Sequence, residues 1–193
     1  MFEVLRAHIQ KRITLSDEEM DRATTYFIPK KLRKKQFLLQ EGDVSRTIAF
    51  VEKGCLRCYS VDDTGAEHIV QFAIEDWWIS DPYSGLTGEP SGYAIDALED
   101  SELLLLERES MNRMLEEIPK CERLFRILLE NRLVANQRRI TSTLETPAEE
   151  RYLQFLKSYP AIAQRVPQSQ IASYLGITPQ SLSRIRKELS DKP

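Results

Sequence analysis

Two groups of residues in this chain carry types and spacings that could do chemistry. The stretch SQIASYLGITPQSLSRIRKEL, residues 169–189, gathers Arg184, Arg186 and Lys187, cations suited to phosphates and base edges. Earlier, GCLRCYSV sets Cys55 and Cys58 in a CxxC, a spacing used by metal and redox sites. What each group can do depends on the element that holds it.

The cysteine segment reads as a strand, and strand residues three apart point to opposite faces. The pair is badly placed to share an ion. A zinc site needs four ligands, and only His8, His68 and Cys121 remain, at irregular distances. The expectation is therefore no metal, with the cysteines serving as small apolar strand residues. An odd count of three cysteines gives no disulfide framework and fits a reducing compartment. Asp81 and Glu89 could pair, with His68 on a neighbouring strand, yet no nucleophile motif, phosphate loop or metal spacing accompanies them. No catalytic residue is assigned, and the chain is not expected to be an enzyme.

The basic stretch is a different matter. Two helices that cross steeply need a small residue at their approach, a glycine at the turn and apolar residues facing a shared core. Ala172, Gly176 and Leu182 stand at those offsets, and Ile171, Leu175, Ile177 and Ile185 complete the core. Thr178 can cap the second helix and Pro179 begins it. Leu182, Ile185 and Leu189 then face inward, leaving Gln180, Arg184 and Lys187 outside, where glutamine can bond adenine, arginine guanine and lysine a phosphate. The candidate DNA contacts are Ser169, Gln170, Thr178, Pro179, Gln180, Ser181, Ser183, Arg184 and Lys187. A purely structural hairpin would share the Ala-Gly-Leu spacing; the exposed polar face and the local charge favour DNA. The chain has a net charge of −3, but residues 146–193 hold seven Lys and Arg against four Asp and Glu, a surplus of three positive charges. The remainder is −6. Attraction to phosphate follows the charge of the domain and not of the whole chain.

The rest of the chain divides into two regimes. From Gln36 to Glu107 short apolar runs are punctuated at Gly42, Gly54 and Gly65, as in an antiparallel roll or barrel. QFLLQ, TIAFVEK, LRCYSV, EHIVQFAI, YAIDAL and ELLLLE read as strands, and VDDTGAE as a hairpin turn begun by Asp62 and closed by Gly65. SDEEMDRATTYF, before them, reads as a helix with Ser16 and Glu19 in capping-box spacing. After Glu107 come the short helix ESMNRMLEEI and a long one from Pro119 to about Glu145, roughly 40 Å in length. Its apolar residues occupy several faces. Phe125, Leu129, Leu133, Ile140 and Leu144 form one stripe, Leu124, Leu128 and Ala135 a flanking one, and Ile127 and Val134 lie on the far side. Such a helix either is buried inside one domain or packs on its own roll and on a second subunit; its length favours the second.

A new helix begins at TPAEER, with Thr146 and Glu149 in capping-box spacing and Pro147 at its first position. This places the domains at 1–118, 119–145 and 146–193. No apolar run approaches the ~20 residues of a membrane span, and MFEVLRAHIQKR has no export-signal pattern. A cytoplasmic location is expected. In DWWISDPYSGLTGEPSGY the aromatics Trp77, Trp78, Tyr83 and Tyr93 either are roll core or line a pocket for an apolar or aromatic molecule.

The chain resembles the Crp-Fnr family of bacterial transcription regulators along nearly its whole length. The resemblance rests on LLQEGDVSRTIAFVEKGCLRCYSVDDTGAEHIVQF, the long helix, and VPQSQIASYLGITPQSLSRIRKEL. It implies an α+β fold: an N-terminal antiparallel β-roll like a cyclic-nucleotide-binding jelly roll, a long dimerisation helix, and a small C-terminal winged helix-turn-helix domain. It further implies a homodimer joined through Phe125, Leu128, Leu129, Leu133, Ala135, Ile140 and Leu144, double-stranded DNA as partner, contact with RNA polymerase, and a small-molecule effector pocket in the roll. The residues standing at the positions of that pocket are Asp81, Ser91, Gly92 and Tyr93.

Departures from the family pattern bear on the effector. Where cyclic-AMP-binding members have a Gly-Glu pair and later Arg-Ser, this chain has Ser80-Asp81 and Ser91-Gly92. Asp81 could still accept from a hydroxyl, but the arginine that holds the cyclic phosphate is absent, and with it a strong charge-assisted contact. Leu133 and Val134 also stand where the family places polar groups against the purine. Cyclic AMP is thus not the expected effector. Iron-sulfur members use cysteines near the N-terminus, whereas the first here is Cys55, and haem would have only His8 and His68, read as ordinary surface or strand histidines. No cofactor is required on this basis and the effector is unidentified. Pro179-Gln180 replaces the Arg-Glu of the cAMP-dependent activator, so only Arg184 of that reading set is kept. The alternative function is an effector-binding module that acts through protein contacts without reading DNA.

Overall fold

The computed structural model describes residues 2–191. Two helices come first, α1 (Glu3–Gln10) and α2 (Asp17–Thr25). Strands β1 (Phe27–Leu32), β2 (Phe37–Leu39), β3 (Thr47–Lys53), β4 (Leu56–Val61), β5 (Glu67–Ala73) and β6 (Trp78–Ile79) follow. A short helix α3 (Pro82–Thr87) precedes β7 (Ala94–Ala97) and β8 (Ser101–Glu107). The rest is helical: α4 (Arg108–Glu117), α5 (Lys120–Glu145), α6 (Ala148–Ser158), α7 (Pro160–Arg165), α8 (Gln168–Tyr174) and α9 (Pro179–Ser190).

The strands form two antiparallel four-stranded sheets, ordered β1-β8-β3-β6 and β2-β7-β4-β5. Side chains alternate across each sheet, and every face here has something to cover. In β8, Leu103 points between the sheets while Leu104 and Leu106 point outward under helices; in β3, Ala49 and Val51 point inward and Phe50 outward. The run of four leucines is a strand buried on both sides. The inner layer joins Leu39, Leu56, Cys58, Ile79 and Ile95 from both sheets. Outside the first sheet lie α1, α2, α4 and the start of α5, and outside the second lie the C-terminal helices.

Local signals account for the element ends. Ser16 and Glu19 form the expected capping box, and the 62–65 hairpin closes through Gly65 N–H to Asp62 O at 2.8 Å. Gly54, at φ 112°, ends the β3–β4 turn where a Cβ would sit 2.1 Å from Ser101 Oγ. Only glycine fits there. Trp78, on β6, meets Phe50, Phe27 and Phe125 edge-on or tilted, 5.1 to 6.0 Å between ring centres, so the long helix is fixed to the roll through an aromatic cluster.

Two features differ from the sequence expectation. Between 146 and 191 the described residues form four helices and no strand, so the helix-turn-helix is present and the expected wing is not. Where a wing would need alternating apolar residues and a hairpin turn, α9 continues its 3.6-residue period to Ser190. His8 is neither a surface nor a strand residue. It is 1% exposed within α1, donating through Nδ1 to Asp76 at 2.7 Å and accepting at Nε2 from Trp78 Nε1 at 3.0 Å. Burial lowers its pKa, with the hydrogen bond to Asp76 opposing.

Candidate nucleic-acid interface

α8 ends in a turn that the sequence prescribes. Gly176 takes φ 67°, its N–H reaches Ser173 O and Ile177 N–H reaches Ala172 O, both at 3.0 Å. This is the Schellman closure, which satisfies carbonyls that the helix end leaves free. Thr178 Oγ1 then accepts from Ser181 N–H at 3.1 Å to cap α9, and Pro179 occupies its first turn. Ile171, Ala172, Leu175, Leu182 and Ile185 are buried between the helices. A shared apolar seam of this kind locks the angle at which α9 is presented.

Opposite that seam, Gln180, Ser183, Arg184 and Lys187 are exposed, with Thr178 and Pro179 at the start of the helix and Ser181 half-buried. Arg184 has only a 3.8 Å pairing with Glu188, an exposed contact of little strength. Ser169 is exposed at the start of α8. Gln170 is half-buried and its Oε1 lacks a hydrogen-bond partner among the described residues, so of the nine candidates it and Ser181 are turned partly away from solvent.

The C-terminal helices dock on the second sheet through a continuous apolar cluster. Tyr59, Ile69, Phe72 and Ala94 of the roll meet Tyr152, Phe155, Ile162 and Ile171. Ser173 Oγ inserts at the edge strand, accepting from Ile69 N–H at 2.9 Å and donating to Glu67 O at 2.8 Å. Tyr174 packs on Phe72 at 5.4 Å, Arg139 stacks on its ring at 5.0 Å and donates to Val70 O. Arg165 pairs with Glu75 at 2.7 Å and with Glu99. Arg151 donates to Thr146 O at 2.6 Å and Leu175 O at 3.1 Å, tying the end of α5 to the helix-turn-helix. Sequence reasoning missed this interface; its signal was the paired aromatics Trp77 and Tyr159, which meet at 5.6 Å.

α5 shows two faces. Cys121 and Leu124 are buried and Phe125 and Leu128 half-buried against the first sheet. Leu129, Leu133, Ile140 and Leu144 are 62% to 80% exposed, and Ala135 and Val134 are exposed as well. The stripe drawn from sequence is thus divided, with Phe125 and Leu128 committed to the protomer's own roll.

The expected effector residues do not meet in a cavity. Asp81, 2% exposed, caps α3 by accepting from Tyr83 N–H at 2.9 Å and accepts from Ser91 Oγ at 2.7 Å. Both Asp81 oxygens are thus engaged within the protein. Gly92 is exposed and Tyr93 half-buried against the inner layer. Glu89 bonds the Tyr83 hydroxyl and not Asp81, while His68 pairs with Asp62 at 2.7 Å on the surface. A cavity of about 450 Å³ opens beside them, walled by Leu39, Val44, Ile79 and Ile95, with Arg46 and Ser80 among its polar groups. The aromatics of 76–93 face different neighbours and do not form a common pocket. Arg132, from the roll-facing side of α5, reaches Ser80 O at 3.3 Å. A cation between Leu128 and Ala135 on an apolar stripe was the available sign.

Cys55 faces the C-terminal helices and Cys58 the inner layer, the opposite-face arrangement expected of the CxxC. Burial pushes both thiols up to about 12 and Cys121 to about 11, where they are neither nucleophiles nor ready ligands. Among the described residues no group of three or more His, Cys, Asp or Glu could hold a metal ion, and no helix is long and apolar enough to cross a membrane.

Comparison with known proteins places these features. Residues 29–118 match the cyclic nucleotide-binding domain. The fumarate and nitrate reduction regulatory protein of Vibrio cholerae is 25% identical over 184 residues, covering 89% of this chain and 73% of that protein. The transcriptional activator Anr of Pseudomonas aeruginosa is 25% identical over 165 residues, covering 80% and 67%. Among solved structures, FixK2 from Bradyrhizobium japonicum aligns with a TM-score of 0.72 at 20% identity, covering 85% of this chain and 84% of that one. The c-di-GMP responsive regulator CLP of Xanthomonas campestris aligns at 0.70 and 14% identity, covering 91% and 92%. With residues 29–118 matching a cyclic nucleotide-binding domain, followed by a long helix and a helix-turn-helix, the chain is similar over most of its length to transcription regulators of the Crp-Fnr type.

Proposed function

We propose that the protein is a DNA-binding transcription regulator that reads a two-fold-related operator as a homodimer. The observation that carries this is α9, whose inner face is locked by Leu182 and Ile185 while Gln180, Arg184 and Lys187 stand exposed. Ser169, Gln170, Thr178, Pro179, Ser181 and Ser183 supply the surrounding polar contacts. The exposed apolar face of α5 is the dimer seam. Two copies so joined place paired α9 helices in successive major grooves, about 34 Å apart. The domains are 1–118, 119–145 and 146–193, the site of action is the cytoplasm, and RNA polymerase is the further partner the family implies. No catalytic step and no required cofactor is assigned. Gating by a small molecule has its place in the cavity beside Ser80, next to the arginine that α5 contributes.

Selection of bound duplexes from a random pool, with and without cyclic AMP, tests this. A single two-fold motif enriched equally in both arms, with affinity that falls as salt rises, is the expected result. Absence of any enriched motif would favour a module working through protein contacts.

A further inference from the structure

The cavity beside Ser80 presents polar groups that the protein leaves unmatched. It measures about 450 Å³, within the range of small-molecule sites. Leu39, Ile79 and Ile95 of the inner layer form the apolar part of its lining, with the exposed Val44. Asp43 and Arg46 line it too, both exposed, and among the described residues neither side chain has an ion pair or hydrogen bond. Ser45 and Ser80, at 7% and 8% exposure, complete it. The Ser45 hydroxyl has no hydrogen-bond partner among the described residues, and that of Ser80 has only a 3.5 Å approach from Arg132. Buried hydroxyls are ordinarily satisfied, so two under-used ones in a cavity wall point to a polar ligand group.

The loop that carries Asp43 and Arg46 is already fixed. Gly42, at φ 89°, donates through its N–H to Ser91 O at 2.8 Å, and Ser91 N–H returns to Asp43 O at 2.8 Å. Ser45 N–H reaches Ser84 Oγ of α3 at 2.9 Å. Binding there loses little to ordering of the protein. One anion and one cation, three positions apart, then decide the class of ligand. A simple carboxylate gains Arg46 but faces Asp43, and a simple amine meets the reverse; only a zwitterion satisfies both.

We propose that this cavity binds a free apolar α-amino acid, its carboxylate on Arg46, its ammonium on Asp43 and its side chain against Leu39, Val44, Ile79 and Ile95. This rests on the gating cavity assigned above and names its ligand class. Ser80 links the site to α5, because Arg132 reaches Ser80 O at 3.3 Å. Occupancy beside Ser80 therefore bears on the helix that carries the dimer seam.

Isothermal titration calorimetry of the full chain with L-leucine and with L-phenylalanine, in the absence of DNA, is the test. At least one of the two should bind with a dissociation constant of about 1 mM or tighter. Isocaproate and isoamylamine for leucine, and hydrocinnamate and phenethylamine for phenylalanine, each lack one charge and should bind at least about tenfold weaker. Arg46→Gln and Asp43→Asn, at exposed positions, should each weaken the amino acid at least about tenfold and leave the melting temperature within about 2 °C. Asp43→Asn should also close the gap between the amino acid and its carboxylate analogue, which loss of a merely structural aspartate would not do. A dissociation constant weaker than about 1 mM for both amino acids overturns the proposal, as does equal binding of a singly charged analogue or indifference to both variants. The titration stands apart from operator reading. Anisotropy on the selected duplex with and without the amino acid then reads the gating: a shift of at least about threefold supports it, and a bound amino acid that leaves DNA affinity unmoved supports the site and overturns the gating role alone.

Discussion

Leu133→Ala tests the proposed dimer seam separately from the core of the single chain. Leu133 is 68% exposed, so within one chain it contributes little, and its packing value arises only against a second copy. Full burial of a leucine side chain is worth about 1.5–3 kcal/mol, so trimming this one forfeits about 1–2 kcal/mol on each protomer. Two protomers double it to about 2–4 kcal/mol, or a roughly 30- to 900-fold weaker dimer. Sedimentation velocity over a dilution series reads that constant directly. Leu128→Ala is the counterpart, because Leu128 is half-buried against the protomer's own sheet; it should lower the melting temperature and leave dimerisation nearly intact. A dissociation constant unmoved within about threefold in Leu133→Ala, together with a lowered melting temperature, would mean that this face packs within the chain and that the seam lies elsewhere.

Arg184→Ala should cost roughly 1–3 kcal/mol per half-site and relax preference at one base position, whereas Lys187→Ala should weaken all sequences alike; anisotropy on single-position operator variants decides, and no effect from either refutes the assigned face. Gly54→Ala should cost at least about 2 kcal/mol in urea unfolding, since the added Cβ would lie 2.7 Å from the Ser101 backbone; a loss under about 0.5 kcal/mol would show that the turn adapts. His8 is the group to follow with pH. Burial lowers its folded pKa below 6.5, so on acidification the unfolded chain takes up the proton first. Stability is complete above about pH 6.5 and declines as pH falls toward the folded value. His8→Phe should flatten the difference between urea melts at about pH 7.5 and about pH 5.5, and an unaltered difference would place the titration elsewhere.

The helix-turn-helix could be read from its own residues because its determinants are local. Gly176, Thr178 and Pro179 each act within a few positions of themselves. The strands Thr47–Lys53, Leu56–Val61 and Ser101–Glu107 announced themselves by apolar content. β1 did not, because FIPKKL exposes its four central residues and carries a proline, and β6 is two residues long. Both are strands only because β8 and β3 are there to pair with them. The candidate effector site was obscured for a related reason. Asp81 and Ser91 are ten positions apart and bond to each other, while Arg132 reaches Ser80 from 52 positions away. Whether the α5 stripe was one surface or two likewise depended on how far the roll covers it, a matter of tertiary contact.

The hydroxyl of Ser173 occupies hydrogen-bonding groups on an open flank of the roll. β5 has a strand partner on one side only, and Glu67 O and Ile69 N–H on its free side are taken up by that single side chain. Swinging the DNA-reading helices away would therefore bare a strand border ready to pair with any extended segment, its own or another chain's. Release of the helices and exposure to aggregation are coupled at one serine, so a chain lacking this hydroxyl should be harder to keep in solution before it is harder to bind to DNA.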